Sequence, residues 1–309
     1  MAEKIQIREV GLRDGLQIVK TVMPIDAKLD WIKTEYEAGV TEIEVCSFVP
    51  TKLIPQFGDR EEIVPQALAF DGLTVTALVP NIRGAEDGIR LGVHKLNFVM
   101  SVSEGHNLSN VRRSTEDSFA DFAVMARRVH EITGNRPKIV GGLSTCFGCT
   151  IEGKVSEQRA IEFAHRLLDL GADELTICDT VGYASPDQVR RVFEGILKFT
   201  GNTPVAAHFH DTRGLGIANA LAAADVGVRY LDSSLAGLGG CPYAPGATGN
   251  VVTEDLAFLF ASMGFDTGID IEKLLKVRDI VARALPDEKL RGGTYQAGLP
   301  KDFTYAKAR

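Results

Sequence analysis

Residues 173–211, DELTICDTVGYASPDQVRRVFEGILKFTGNTPVAAHFHD, contain one complete strand–helix–strand pattern. The outer runs, DELTICDT (173–180) and PVAAHFHD (204–211), are short and largely apolar, as buried strands are. Between them, SPDQVRRVFEGILKFTG (185–201) has apolar residues at helical spacing, with Ser185 as a helix N-cap and Pro186 at the first helical position. The stretch therefore predicts a βαβ unit with parallel strands.

The same alternation of strand-like and helical segments continues through most of the chain. Eight strand-like runs at a spacing of roughly 30 residues fit a (β/α)8 TIM barrel, a fold of about 250 residues. A doubly wound open sheet is the alternative, but it requires a phosphate-binding glycine turn after the first strand, where this chain has GLRDGLQ (11–17). The other runs are IQIREV (5–10), TEIEVCSF (41–48), LTVTALVP (73–80), KLNFVMSV (95–102), KIVGGLST (138–145) and YLDSSLAGL (230–238).

Beyond the eighth strand, the sequence predicts further helices. TEDLAFLFASMG (253–264) and IEKLLKVRDIVARAL (271–285) have helical spacing, whereas the tail from residue 290 looks irregular. Neither a linker nor a low-complexity segment divides the chain. We therefore expect one catalytic α/β domain over residues 1–309, with the residues from about 253 onward as additional helices and a tail.

Composition excludes several classes of function. The net charge of −7 argues against a nucleic-acid partner, which requires a basic surface. The five cysteines are too few and too scattered for a disulfide framework, which favours a reducing compartment. The first residues lack the pattern of a signal peptide, and no apolar run approaches the roughly 20 residues that cross a bilayer. These features predict a cytoplasmic protein without a membrane partner.

The segment HFHD (208–211) is the strongest chemical signal. Side chains alternate across a strand, so His208 and His210 should point the same way, into the barrel at the end where active sites form. A single inward histidine is more often a hydrogen-bonded core residue, but a pair facing Asp14 of the first strand favours a metal site. Oxygen and nitrogen donors from these three residues, with Asn250 as a further oxygen donor, suit Mg²⁺ or Mn²⁺, with Zn²⁺ or Co²⁺ as alternatives.

Other strand ends supply further candidates. Arg13, next to Asp14 at the end of the first strand, could present its guanidinium to an enolate or carboxylate oxygen, although Arg-Asp pairs are also common on surfaces. Cys241 in a glycine-rich loop could transfer a proton, or be an inert thiol. Glu44 and Asp179 are expected to act in catalysis, or to orient the ligands instead.

Two other patterns carry weaker signals. Cys146 and Cys149 have the spacing of half a zinc ribbon or a redox pair, but the sequence has no second half. The GLGG run (237–240) follows the last strand and lacks the βαβ context of a nucleotide-binding loop. We therefore favour a structural interpretation of both.

At these residues the chain resembles the 3-hydroxy-3-methylglutaryl-CoA lyase family of metallolyase barrels. The resemblance covers nearly the whole chain and is carried by EVGLRDGLQ (9–17), IEVCSFVPTKLIPQFGD (43–59), ICDTVG (177–182), HFHDTRGLGIANAL (208–221) and SSLAGLGGCPYAPGATGN (233–250). It implies metal-dependent, retro-Claisen-type cleavage of an acyl-CoA thioester to acetyl-CoA and, for the methylglutaryl substrate, acetoacetate. It also implies a homodimer or higher homo-oligomer.

Carried over by position, the resemblance implies a role for each candidate. It implies a divalent metal bound by Asp14, His208, His210 and Asn250. Arg13 would neutralise the enolate oxygen, and His208 or Asp14 would act as the base. Cys241 would take part in proton transfer from a mobile loop, and Glu44 and Asp179 would support catalysis. The expected substrate-binding residues are Arg13, Gln17 and Ser144.

The chain also departs from that family around the acyl pocket. Ile18 and Val19 stand where the family usually has Asn-Glu, Gly142 replaces a tyrosine, and SEGHNLSNVRR (103–113) replaces a lysine-containing segment. A lyase for a related 3-hydroxy-3-alkyl acyl-CoA, such as citramalyl-CoA or a longer analogue, is therefore an alternative. A condensing synthase with the same barrel and a non-catalytic acyl-CoA-binding barrel are two others.

Overall fold

Eight parallel strands close into a barrel in the computed structural model, which describes residues 2–240 and 249–305. Each strand pairs with the next along the chain, and β1 pairs with β8 in the register Gln6↔Tyr230 to Glu9↔Ser233. The prediction of a (β/α)8 barrel is therefore confirmed, and an open sheet is excluded because the closed barrel has no edge strand. The strands are β1 Gln6–Glu9, β2 Glu42–Ser47, β3 Thr74–Val79, β4 Lys95–Ser101, β5 Lys138–Ser144, β6 Glu174–Asp179, β7 Val205–Phe209 and β8 Tyr230–Ser233.

Helices form the outer layer. Helix α7 shows how the sequence produces it: the Ser185 side chain accepts a hydrogen bond from Gln188 N, and Pro186 opens the first turn. Val189, Val192, Phe193 and Ile196 fall on one face and are buried. The helices of the described residues are α1 Ile25–Glu37, α2 Arg60–Ala67, α3 Ile82–Leu91, α4 Glu104–Val111, α5 Thr115–His130, α6 Glu157–Asp169, α7 Pro186–Thr200, α8 Gly216–Asp225, α9 Thr253–Ser262, α10 Ile271–Ala284 and α11 Gly293–Ala297.

The C-terminal helices complete the outer ring. Helix α9 packs behind β1 and α10 packs against α1, so together they occupy the place of an eighth barrel helix. The tail was expected to be irregular, but it contains the short helix α11. Asp255 explains this helix, because its carboxylate accepts hydrogen bonds from the backbone nitrogens of Gly293 and Thr294. The single-domain organisation over residues 1–309 stays a prediction.

Charged residues, rather than the usual branched apolar ones, fill the barrel interior near the N-terminal ends of the strands. Arg8 forms ion pairs with Glu42, Glu174 and Asp232. Lys95 Nζ lies 2.8 Å from Glu42 Oε1 and 2.7 Å from Glu174 Oε2. All five side chains are buried. We call them the ionic floor, because they close the interior below the site described next.

No helix among the described residues has both the length and the apolar character required to cross a bilayer.

Candidate functional site

Asp14, His208 and His210 form a buried cluster at the C-terminal mouth of the barrel. The two imidazoles point the same way, as the strand alternation predicts, and their Nε2 atoms lie 3.2 Å apart. Asp14 Oδ2 is 3.4 Å from His210 Nε2 and 3.9 Å from His208 Nε2. Among the described residues, this is the one group of three or more His, Cys, Asp and Glu side chains with atoms close enough to hold a metal ion.

Asn250 reaches the cluster from the loop after β8. A backbone bridge pairs it with His210, and its Nδ2 donates to Asp14 Oδ2 at 2.7 Å and to Leu238 O at 3.2 Å. Its Oδ1 is buried without a hydrogen-bond partner among the described residues. An unpaired buried oxygen is costly.

The cluster has the donor chemistry of a divalent cation site. A carboxylate oxygen and two ring nitrogens converge. The Asn250 amide contacts Asp14 through Nδ2, and rotation of that amide would turn its unpaired oxygen towards the cluster. A divalent cation would satisfy these donors, and oxygen and nitrogen ligands are those that such ions bind in proteins. The residues therefore fit a divalent metal, as the sequence predicted.

The electrostatics of the cluster keep Asp14 ionised. Burial would raise the pKa of its carboxyl, but the Arg13 guanidinium and the two histidines hold that pKa well below its usual range. Burial lowers the pKa of His208, yet the hydrogen bond with Asp232 and the charge of Asp14 give it a net rise. The site thus presents a carboxylate anion to any bound cation.

Arg13 and Asp14 lie beyond the end of β1 rather than on it. The strand ends at Glu9, and residues Gly11–Gly15 form a single wide helical turn. The sequence prediction that Arg13 and Asp14 end the first strand is therefore wrong in detail. Because both side chains leave one tight turn, they contact each other: Arg13 Nη1 donates to Asp14 Oδ1 at 2.6 Å.

Glu44 of β2 orients the Arg13 guanidinium. Arg13 Nε donates to Glu44 Oε2 at 2.5 Å, and Asn97 Nδ2 donates to Glu44 Oε1 at 2.8 Å. Arg13 Nη2 has no hydrogen-bond partner among the described residues, and Arg13 lines the cavity. Burial raises the pKa of Glu44, against the opposing charge of Arg13. The free edge of the guanidinium can therefore bind an anionic substrate oxygen.

Glu9 holds the turn that carries Arg13 and Asp14. Its carboxylate accepts hydrogen bonds from Gly11 N at 2.6 Å, from Leu235 N at 3.0 Å and from Thr253 Oγ1 at 2.7 Å. A Cβ at Gly11 would lie 2.7 Å from Trp31 Cζ2, so this close approach requires glycine. One buried carboxylate thus ties the start of the turn to the segment after β8. Burial raises its pKa to about 7.

A cavity of about 510 Å³ opens over the cluster. Its walls differ in character. One wall carries the charged and metal-binding candidates, and the opposite wall, from β4 to β6, carries Val99, Gly142, Thr176 and Cys178. Gln17 and Ser144, predicted to bind substrate, both line the cavity. Their role in binding stays a prediction.

Asp232 belongs to the site although sequence reasoning missed it. His208 Nδ1 lies 3.2 Å from Asp232 Oδ2, and Arg8 Nε donates to Asp232 Oδ1 at 2.6 Å. Burial opposes ionisation, but Arg8 and His208 hold the pKa of Asp232 at about 2. The available signal was a carboxylate in the eighth strand-like run, which neighbours the H-x-H strand in the predicted barrel.

Four other residues singled out in the sequence lie away from the cluster or outside the described residues. Asp179 is buried, and its carboxylate accepts hydrogen bonds from Tyr183 N at 2.9 Å and Ala184 N at 3.0 Å, so it shapes the loop after β6. Cys146 donates to Leu143 O, and Cys149 accepts from Ser103 Oγ, which supports structural roles for both thiols. Cys241 lies outside the described residues. Catalytic roles for Asp179 and Cys241 stay predictions.

Known proteins are similar to this chain in sequence and in fold. The sequence model of the HMGL-like family matches residues 4–281. The mitochondrial hydroxymethylglutaryl-CoA lyase of Rattus norvegicus is 37% identical over 287 residues, which span 92% of this chain and 87% of the rat protein. The hydroxymethylglutaryl-CoA lyase of Bacillus subtilis is 36% identical over 293 residues, 94% of this chain and 97% of that protein.

A solved structure extends the similarity to three dimensions. The HMG-CoA lyase from Acinetobacter baumannii, in complex with coenzyme A and 3-methylmalate, superposes with a TM-score of 0.91 at 37% identity over 97% of both chains. The expected family is thus confirmed by sequence and by fold, over nearly the full length. This chain belongs to the HMGL-like family.

Proposed function

We propose that this protein is a metal-dependent carbon–carbon lyase that cleaves 3-hydroxy-3-methylglutaryl-CoA to acetyl-CoA and acetoacetate. The observation that carries the proposal is the convergence of Asp14, His208 and His210 with Arg13 on one cavity. A metal-ligand cluster beside an oriented cation suits a reaction that removes a hydroxyl proton and develops an enolate. Relatives at 36–37% identity carry the name of this activity.

Asp14, His208, His210 and Asn250 would hold the metal, with Mg²⁺ or Mn²⁺ as the proposed ion. When bound, a divalent ion lowers the pKa of a coordinated hydroxyl and polarises a coordinated carbonyl. The four side chains come from the turn after β1, from the end of β7 and from the loop after β8, so all are positioned by the barrel mouth.

Side chains of this protein accept the hydroxyl proton and stabilise the negative charge that develops in the reaction. Asp14 accepts the proton of the 3-hydroxyl, because a His208 that binds the metal through Nε2 and contacts Asp232 through Nδ1 has no free lone pair. The oxygen forms a ketone as the C2–C3 bond breaks. The bonding electrons pass to the thioester as an enolate. Arg13, fixed by Glu44, donates a hydrogen bond to the enolate oxygen. A proton then returns to C2, a step for which we propose Cys241.

A cleavage assay tests this function directly. The protein is stripped with a chelator, reloaded with Mg²⁺ or Mn²⁺, and supplied with 3-hydroxy-3-methylglutaryl-CoA while acetyl-CoA release is followed. We expect turnover with metal, and none after chelation. A metal-loaded, folded protein that releases no acetyl-CoA from any thioester tested would support the non-catalytic acyl-CoA-binding alternative instead.

The β4–β6 wall supports a second candidate, a lyase that also accepts 3-alkyl groups longer than methyl. Four of its residues, Val99, Gly142, Thr176 and Cys178, are small or of medium size and uncharged. A Cβ at Gly142 would lie 2.8 Å from Phe98 O, so the backbone keeps this position a glycine and the wall open. Comparing kcat/KM for methyl, propyl and hexyl analogues and for the shorter citramalyl-CoA decides between the candidates.

The partners follow from the proposed reaction. An acyl-CoA thioester is the proposed substrate, and we propose neither a nucleic-acid nor a membrane partner. A homo-oligomer and a cytoplasmic location also stay proposals, for which size-exclusion chromatography with light scattering and cell fractionation are the tests.

A further inference from the structure

His208 has a different partner on each ring nitrogen. Its Nε2 faces the cluster, 3.2 Å from His210 Nε2 and 3.9 Å from Asp14 Oδ2. Its Nδ1 faces away, 3.2 Å from Asp232 Oδ2. A neutral imidazole carries one N–H and one lone pair, so the partner of Nδ1 decides which nitrogen can bind a cation.

We propose that Asp232, held in place by Arg8, is a positioning residue that keeps the proton of His208 on Nδ1 and leaves the Nε2 lone pair free for the divalent ion. The inference rests on the proposed metal site. It assigns a role to Asp232 and to the other residues of the ionic floor, none of which is a metal ligand. Hydrogen bonds from outside the ligand set commonly fix the tautomer and the ring orientation of metal-binding histidines.

The donors and acceptors around Asp232 determine where the proton of His208 lies. A guanidinium only donates, and Arg8 Nε donates to Asp232 Oδ1 at 2.6 Å. An ionised carboxylate only accepts, so the 3.2 Å contact with His208 requires the hydrogen to lie on Nδ1. Both residues are buried, so water does not compete freely for either contact.

The ionic floor explains why Asp232 stays in position. Arg8 is itself fixed by Glu174 and Glu42 on the opposite side of its guanidinium. Lys95 neutralises the same two glutamates but has no contact with Asp232. Arg8 is therefore the link between Asp232 and the rest of the ionic floor.

Asp232→Asn is the decisive variant. The amide oxygen would accept from Arg8, which turns the amide NH2 towards His208 Nδ1. Nδ1 would then have to accept, and the ring proton would move to Nε2, where it blocks metal binding. The matched control is Asp173→Asn, the same aspartate-to-asparagine change at a carboxylate that is paired with an arginine, Arg136, outside the ionic floor.

Two measurements read the outcome. Long-range ¹⁵N–¹H NMR of ¹⁵N-histidine-labelled, metal-free protein, recorded at a pH where the His208 ring is neutral, gives the tautomer of His208, assigned with His208→Gln. Electron paramagnetic resonance titration with Mn²⁺ alone gives the dissociation constant. We expect Nδ1–H in the wild type and in Asp173→Asn, with Mn²⁺ dissociation constants of the two proteins within about three-fold of each other. Asp232→Asn should show Nε2–H and bind Mn²⁺ about 10–100-fold more weakly.

Several results would overturn the proposal. A proton on Nε2 in the wild type, wild-type Mn²⁺ affinity in Asp232→Asn, or equal losses of affinity in Asp232→Asn and Asp173→Asn would each do so. If Asp232→Asn does not fold, Arg8→Lys replaces it as the test variant. The Asp232 carboxylate remains but loses the planar guanidinium that fixes it. His208 should therefore keep its proton on Nδ1, while Mn²⁺ affinity falls about three- to ten-fold. Unchanged affinity in that variant would overturn the role of Arg8.

The test is independent of the proposed reaction. The tautomer is measured without metal or thioester, so a protein without lyase activity can still satisfy this inference. Conversely, an active lyase whose wild-type His208 carries its proton on Nε2 would retain the proposed function and lose this inference alone.

Discussion

Glu44 and Arg13, from two adjacent parts of the barrel mouth, are joined by a hydrogen bond of 2.5 Å from the guanidinium Nε to the carboxylate Oε2. Among the residues that the structure describes, Arg13 has one other anchor, Asp14, which is itself a metal-ligand candidate. Glu44 is thus the anchor that can hold Arg13 without taking part in metal binding. This arrangement is why we assign charge stabilisation to Arg13 and metal binding to Asp14.

Replacing Glu44 with Gln tests that anchor. The amide keeps one acceptor but loses the charge that orients Arg13, so we expect kcat to fall about 10–100-fold, equivalent to about 1.4–2.7 kcal/mol. Mn²⁺ affinity should stay within about three-fold, because Glu44 lies outside the ligand cluster. Steady-state kinetics and Mn²⁺ titration measure the two effects. The control is Glu61→Gln, which changes an exposed ion pair with Arg90 and should alter neither.

Arg13→Met tests the enolate partner itself. Methionine keeps much of the aliphatic volume but removes every donor, so kcat should fall by about 10²–10³-fold or more, as when an oxyanion donor is lost. Metal affinity should remain close to that of the wild type. Kinetics with saturating Mn²⁺ and a binding titration separate the two properties. Loss of metal binding in this variant would contradict the separate roles given to Arg13 and Asp14.

Metal removal should also lower thermal stability. A ligand that binds the folded state alone stabilises it by about 2.7 kcal/mol at 100 times its dissociation constant. For a chain of this size we expect Tm to rise by about 4–7 °C on adding Mn²⁺ to chelated protein. Differential scanning fluorimetry measures the shift. His210→Ala should abolish it, whereas Gln17→Ala, in the same cavity, should retain it; a full shift in His210→Ala would count against the ligand set.

Stability should fall as the pH rises, because of Glu9. Burial raises the pKa of folded Glu9 to about 7, above its ordinary value of 4.5. Between these values the folded state holds the proton that the unfolded state has lost. Stability from this group is therefore present below pH 4.5 and is lost as the pH rises through 7. Glu9→Gln should remove this dependence, a difference of about 1–3 kcal/mol between pH 5 and pH 8.

Thermal unfolding of wild type and Glu9→Gln from pH 5 to pH 8 gives the comparison. Burial also raises the pKa of Glu254 to about 7, so some dependence should persist in the variant. Glu62→Gln, at an exposed position, serves as the control. Parallel curves for wild type and Glu9→Gln would mean that Glu9 is ionised in the folded protein throughout this range.

Features that depend on local periodicity could be predicted from the sequence. The alternation of strand-like and helical runs predicted the closed barrel, and the two-residue repeat of a strand predicted that His208 and His210 share a face. The pairing of Asp14 with these histidines followed from the rule that all strand ends of a barrel meet at one mouth. Asn250 could not be assigned to the site from periodicity, because the loop that carries it has no regular spacing.

Features that depend on buried charge could not be predicted in this way. A charged residue such as Arg8 or Glu174 in a strand-like run suggests a face exposed to solvent. The buried partners that neutralise it lie up to 224 residues away and cannot be recognised from the local sequence. The turn at Gly11–Gly15 was read as a strand end for a similar reason. Its shape depends on Glu9, whose other contacts, Leu235 and Thr253, are supplied from the far end of the chain.

The pairing of β1 with β8 also determines when the site can form. Asp14 and Asn250 are 236 residues apart, and the contact between them exists only once the first and last strands have met. A chain still being synthesised cannot assemble the four proposed ligands until residue 250 has left the ribosome. Contacts of such long sequence separation form slowly, because a large loop must close first. At the proposed four-ligand site, a metal ion can therefore bind only after most of the chain has been synthesised, and it cannot act there as a template for early folding.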